Sequence, residues 1–299
     1  MYQKVMGFAR LARPANLPTA AADIFAGVII GLFLGQIHVL NAVQEHGTTV
    51  LLLIFSSILL YAGGVVLNDV FDAQLDALER PERTIPQGIV KLPEAVAWGV
   101  LLLLSGCVLA FAAHPLSGAI AVALTTAIVL YDGYAKKNGF FGPLTMGVCR
   151  GLNLLLGMSV LGSMVHWWLG LVPVIYIFAV TLISRGEVHG NNKNHILWSG
   201  MLYIIVIMVV GWCIHQLGGS LPKAFPFLVL FSMALFRPLW KAYQENSPKN
   251  IKKAVISGVL SLIIMDACWV AGFTDWTLAA LTLLLLPLSL LLSKLFAVT

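Results

Sequence analysis

Long runs of Leu, Ile, Val and Ala recur along the chain, separated by short polar stretches, and none shows the strict alternation of a half-buried strand. Each run approaches the roughly 20 residues that an α-helix needs to cross about 30 Å of hydrocarbon. The pattern predicts helices beginning near Leu17, Thr48, Glu94, Leu116, Phe141, Trp168, Ile196, Lys223 and Ile251, with a further one beginning near Asp275. Only helices and closed barrels satisfy their backbone in lipid, and a barrel would show short alternating segments. The expected fold is therefore all-α, a polytopic membrane helical bundle.

Composition sharpens this reading. Of the 299 residues, 59% are hydrophobic and 10% charged, and mean hydropathy is +0.91. An ordinary soluble domain carries about 25% charged residues, so that class is excluded. All 18 Lys and Arg except Arg150 and Lys223 fall in the N-terminal segment, the loops after helices 2, 4, 6 and 8, or the C-terminal end. Positive charge marks the cytoplasmic side, which predicts cytoplasmic termini and cytoplasmic even-numbered loops. The same asymmetry explains the net charge of +5 without any nucleic-acid partner. The basic start (Lys4, Arg10, Arg13) leads into a full span rather than a cleavable signal, so the N-terminus is expected in the mature protein. Cys107, Cys149, Cys213 and Cys268 fall within the spans without metal-ligand spacing and read as packing residues. One membrane unit, residues 1–299, is expected.

Two polar interruptions carry the candidate chemistry. NDVFDAQLDALERPERTIPQG, residues 68–88, places Asn68, Asp72 and Asp76 at i, i+4 and i+8, hence on one face if the helix continues, with Arg80 and Arg83 following. Hard oxygen ligands beside guanidinium groups suit a magnesium-bound, highly anionic group such as diphosphate. The second interruption, SRGEVHGNNKNH, residues 184–195, ends helix 6 much as the first ends helix 2. Two half-bundles, about 14–140 and 141–272, each presenting a polar helix end to one central cavity open to the cytoplasm, would build such a site. The helix at about 275–296 is an addition to them.

These segments resemble the UbiA-type intramembrane prenyltransferases, whose first motif has the form NDxxDxxxD followed by an RPxRPIPxG-like loop. Asn68 to Asp76 and ERPERTIPQG match it, as do RPAN (Arg13 to Asn16), YDGYAKK and GPLTMGVCRGLNLLLG. The second family motif, DxxxD in the context DxxGD, aligns with EVHGN, so Glu187 and Asn191 replace the two aspartates. Glu187 keeps a charged ligand, whereas Asn191 offers a neutral carbonyl oxygen. Tyr131 and Lys136 lie five residues apart where the family has four, leaving Lys136 and Lys137 as alternatives. RPAN, CRGLNLLLG and the altered motif most resemble the UbiA-like proteins called EboC, found in secondary-metabolite clusters.

The resemblance implies Mg2+-dependent transfer of an isoprenoid group from an allylic diphosphate to an aromatic or small lipophilic acceptor in the bilayer. It implies Asn68, Asp72 and Asp76 as ligands of one magnesium, and Glu187 and Asn191 of another. Asp72, Glu187 and Lys136 would be catalytic. Arg13, Asn16, Arg80, Arg83, Tyr131, Lys137, Arg150 and Asn153 would bind substrate. The weakened second motif also admits a protein that binds or carries an isoprenoid or secondary-metabolite precursor without transfer, or, more weakly, a scaffold. Elsewhere, Asp23, Arg150 and Asp266 are ionisable groups within spans, expected to face the cavity or each other. His189 and His195 read as interfacial side chains, and Trp167, Trp168 and Trp212 as interface anchors.

Overall fold

Apolar runs become helices wherever the expected spans lie, and prolines or small polar residues set their starts. The computed structural model describes residues 2–187 and 190–296, those at 39–43 by backbone alone. Among the described residues every regular element is helical: α1 (Tyr2–Leu11), α2 (Leu17–Leu34), α3 (Val39–Phe71), α4 (Ala73–Glu79), α5 (Leu92–Ala113), α6 (Pro115–Gly133), α7 (Phe141–Met158), α8 (Leu171–Ser184), α9 (Lys193–Gln216), α10 (Leu221–Gln244), α11 (Pro248–Phe273), α12 (Trp276–Leu283) and α13 (Leu285–Leu295). They form 10 segments long and apolar enough to span a membrane. Pro115 and Pro248 open α6 and α11, where a missing N–H costs nothing. Asp275 caps α12 by accepting from the Leu278 N–H at 3.0 Å.

Helix α2 begins at Leu17, where the hydrophobic pattern places it, with α1 preceding it from Tyr2, whereas α3 begins at Val39, ahead of the expected Thr48. A short 3-10 turn, Pro14–Asn16, joins α1 to α2. Leu11 of α1 is buried with Val66, Val90, Ala95 and Leu102, so this basic helix also packs against the protein.

Helix α2 is the hub of the bundle. Its residues enter two buried clusters, one with α7 to α11 and one with α3, α5, α6 and α7. Close approach of α2 and α7 depends on glycine, because a Cβ on Gly27 would stand 2.9 Å from the Gly157 Cα. Asp23, one turn before Gly27, is thereby set opposite Arg150 and Asn153 of α7. Outer positions such as Leu51, Phe55, Leu104 and Val108 are exposed apolar side chains, as expected of a lipid-facing surface. All four cysteines are free thiols, with Cys213 and Cys268 buried.

Candidate functional site

The first motif does not continue as one straight helical face. Helix α3 ends at Phe71, Asp72 takes the joint at φ −90° and ψ 0°, and α4 begins at Ala73. The backbone pattern persists, Asp72 N–H donating to Asn68 O at 3.0 Å and Asp76 N–H to Asp72 O at 2.8 Å. The three side chains nevertheless meet three different partners. Asn68 Nδ2 donates to Asp132 Oδ1 at 2.6 Å. Lys136 Nζ donates to Asp72 Oδ1 at 2.6 Å. Arg83 Nη1 donates to the buried Asp76 Oδ2 at 2.6 Å.

Asp69, the second residue of the motif, joins these groups into a ladder. Its Oδ1 accepts from Arg13 Nη2 at 2.5 Å and from Arg83 Nη1 at 3.3 Å. Two guanidinium groups thus face two carboxylates, Asp69 and Asp76, in a partly dry setting that strengthens their attraction. Arg13 stands at φ 44° and ψ 67°, the left-handed region that a residue with a Cβ rarely adopts. Neither Asp69 nor Asp132 is among the residues expected from the sequence. Asp69 sat inside the motif, whereas Asp132 had only its place beside Tyr131 to signal it.

These residues border a cavity of about 210 Å³. Its wall includes Arg13, Asn68, Tyr131, Asp132, Arg150 and Asn153, so both RPAN and the YDG and CRGLN segments contribute. Deeper in the bundle, Arg150 Nη1 donates to Asp23 Oδ2 at 2.5 Å, and Nη2 donates to Thr19 Oγ1. Asn153 Nδ2 donates to the same Asp23 oxygen at 2.9 Å, and Ser57 Oγ donates to Asn153 Oδ1 at 2.6 Å. The Arg150 guanidinium also lies 5.4 Å from the Tyr61 ring centroid, a cation–π distance. Asp266, likewise buried, is within electrostatic reach of Asp23 and Arg150, and neither of its oxygens has a hydrogen-bond partner among the described residues. The expectation that Asp23 and Arg150 face each other is met.

The remaining predicted residues lie around this centre. Lys136 points to Asp72, while Lys137 is exposed. Asn16 closes the turn before α2, its carbonyl accepting from Thr19 Oγ1 at 2.7 Å. Arg80 is exposed on the loop after α4. Glu187 is half-buried beyond α8 and is not on the cavity wall. Burial raises its carboxyl above the ordinary glutamate range, opposed by the positive charges of Lys252 and Arg80. The charge of Arg80 thus links the first motif to the second.

Gly190 and Asn191 follow with φ of 67° and 57°, and the Asn191 side chain is exposed. A Cβ at Gly190 would stand 2.8 Å from the Asn246 carbonyl, so only glycine fits this turn. The buried neighbour Asn192, not singled out from sequence, ties the loop to the bundle by accepting from and donating to Asn246. His189 lies outside the described residues. Among those described, no group of three or more His, Cys, Asp and Glu side chains is placed to hold a metal ion.

The sequence profile of the UbiA prenyltransferase family matches residues 24–263. A digeranylgeranylglyceryl phosphate synthase of Metallosphaera sedula is 30% identical over 264 residues, covering 83% of this chain and 88% of that one. That of Methanococcoides burtonii is 33% identical over 159 residues, 52% of this chain and 55% of its own length. For several such relatives the match thus spans only about half of their length, as with 46% in Methanosarcina mazei. Among solved structures, a UbiA homolog from Archaeoglobus fulgidus bound to GPP and Mg2+ superposes with TM-score 0.67 at 11% identity, over 88% of this chain and 99% of that one. A structure described as giving insights into digeranylgeranylglyceryl phosphate synthase in membranes gives TM-score 0.63 at 21% identity, over 90% and 98%. At those identities the structures establish the shared fold alone.

Proposed function

The chain belongs to the UbiA prenyltransferase family, and on that premise we propose that it transfers an isoprenoid group from an allylic diphosphate to a lipophilic acceptor within the membrane. The observation that carries this reading is the meeting of Arg13, Asn68, Tyr131 and Asp132 on one cavity wall, with the Asp72–Lys136 pair hydrogen-bonded alongside. Arg13, Arg83 and Lys136 supply donors for diphosphate oxygens, and Arg80 extends that positive rim toward Glu187. Preorganised cations of this kind stabilise charge that grows on the leaving diphosphate as the C–O bond ionises. The apolar remainder of the wall, including Leu124 and Ile128, keeps water from the allylic carbon.

The donor set fits magnesium. Asn68 uses its amide nitrogen on Asp132, which leaves Oδ1 open, and Lys136 occupies one Asp72 oxygen, which leaves the other. Magnesium is held through one or two carboxylates plus substrate phosphates and waters, which matches this sparse oxygen set. In the proposal Asn68 and Asp72 hold one ion, Asp76 supports them through Arg83, and Glu187 with Asn191 serves a second. The bound metal would add positive charge against the diphosphate.

The altered second motif supports, in our reading, a kinship with the EboC-like members of the family. Charge asymmetry supports a cytoplasmic side for the motif loops and both termini. For the acceptor, relatives named for a glyceryl phosphate product favour a prenylated glyceryl phosphate over the aromatic acceptor expected from the motifs alone. A second reading, binding or carriage without transfer, draws on the neutral and exposed Asn191.

Incubation of the purified protein with Mg2+ and geranyl, farnesyl or geranylgeranyl diphosphate tests the proposal. Pyrophosphate release that rises when either a prenylated glyceryl phosphate or an aromatic acid is added identifies transfer and acceptor class. Tight diphosphate binding with no release from any donor would refute the transferase and support the carrier. Asp72→Ala and Glu187→Ala should each weaken Mg2+-dependent diphosphate binding; unchanged binding in both would sink the residue assignment.

A further inference from the structure

The last helix, beyond the family match, reaches back to the turn that carries Arg13. Helices α12 and α13 lie past residue 263, where the family profile ends, and α13 packs against the Pro14–Asn16 turn and α2. Nearly all of α13, LLPLSLLLSKL, is apolar and turned outward; Ser289 is its buried residue. A hydroxyl buried in a lipid-facing helix needs a partner, and Ser289 Oγ finds it by donating to the Ala15 carbonyl.

Ala15 is two residues from Arg13. A residue with a Cβ stays in the left-handed region only where its surroundings over-determine it, and Arg13 is held from two sides. On its side-chain end stands the Asp69 ion pair at 2.5 Å. At its backbone end stands the Pro14–Asn16 turn, closed by the Asn16 N–H donating to the Arg13 carbonyl at 3.0 Å and tied to α13 through Ala15. The local sequence by itself has no reason to choose this conformation, since Arg13 is not glycine.

We infer that α13 is a positioning element for the diphosphate site: Ser289, by holding the Ala15 carbonyl, fixes the turn that presents Arg13 to the cavity. The inference rests on the proposed role of Arg13 as a diphosphate ligand. Ser289 touches no substrate and acts through the turn.

Full-length wild type, S289A, S289T, R13A and R13A/S289A separate this role from general packing. Binding of geranyl diphosphate with Mg2+ should weaken about three- to tenfold in S289A, the range of one lost hydrogen bond, and recover in S289T, which keeps the donor. In the R13A background S289A should cause no further loss, whereas a purely structural defect would add to it. Without ligand, amide exchange at Arg13, Asn16 and Leu17 should accelerate in S289A and not in S289T. Wild-type binding by S289A, or an equal additional loss in R13A, overturns the inference while leaving the proposed function standing. Unchanged exchange overturns the clamp itself. Failure of the wild type to bind any diphosphate overturns the proposed function, and with it the role assigned to Arg13.

Discussion

Replacing Arg150 with methionine should destabilise the bundle more than replacing Arg150 and Asp23 together. The N–O separation of 2.5 Å places the two charge centres roughly 4 Å apart, an attraction of about 4 kcal/mol at an effective dielectric of about 20. Both groups are buried, so the pair offsets a desolvation cost of several kcal/mol per ion rather than adding a large net stabilisation. Arg150→Met leaves Asp23 without its cation and beside the buried Asp266, which predicts a loss of about 3–5 kcal/mol. Asp23→Asn strands the guanidinium and should cost a similar amount.

The double variant Asp23→Asn/Arg150→Met carries neither charge, and its loss should be smaller than either single loss. At about 2–4 °C per kcal/mol, the single variants should melt roughly 6–20 °C below wild type. Cys213 and Cys268 are buried free thiols, so a thiol-reactive fluorophore reports unfolding in detergent directly. Scan rate must be held constant across variants, because irreversible unfolding makes the midpoint rate-dependent. Additive losses, or a double variant less stable than both singles, would refute the claim that these residues are energetically one unit.

Other consequences are equally concrete. Lys136→Met should weaken diphosphate binding at least about tenfold by removing a charge-assisted contact, while Lys137→Met, altering an exposed side chain, should leave calorimetric affinity nearly unchanged. Burial raises the Glu187 carboxyl in the folded protein, so its contribution to stability is fully present below the unfolded glutamate pKa and is lost as pH rises through the folded one. Glu187→Gln should flatten that decline in melts followed from pH 4 to 8, and added Mg2+ should stabilise wild type more than the variant if Glu187 is a ligand. Gly27→Leu forces side-chain atoms into the Gly157 backbone and should cost at least the usual 1–3 kcal/mol of overpacking, roughly, read as lower thermal stability or loss of folded protein.

Much of the molecule was legible along the chain. Hydrophobic runs of membrane length are a local property, so each expected span corresponds to a helix, with α2 starting at the expected Leu17 and α3 starting at Val39, ahead of Thr48. The NDVFDAQLD motif was legible for the same reason: its spacing and its arginines lie within a few turns of each other. Sequence periodicity misplaced what happens at Asp72, where a joint between α3 and α4 sends Asn68, Asp72 and Asp76 to separate partners. It also passed over Asp69 and Asp132, whose importance comes from what approaches them rather than from their own neighbours.

The number of membrane-length spans, membrane residence and the identity of the polar motifs were therefore determined by the sequence alone, because burial in lipid is decided residue by residue over about 20 positions. Pairing was decided only by the fold. Arg13 reaches Asp69 across 56 positions, Lys136 reaches Asp72 across 64, and Arg150 reaches Asp23 across 127. A charge within a span has no stable solution by itself, and only the packing of α2 on α7, glycine against glycine, brings its counter-charge within hydrogen-bond distance.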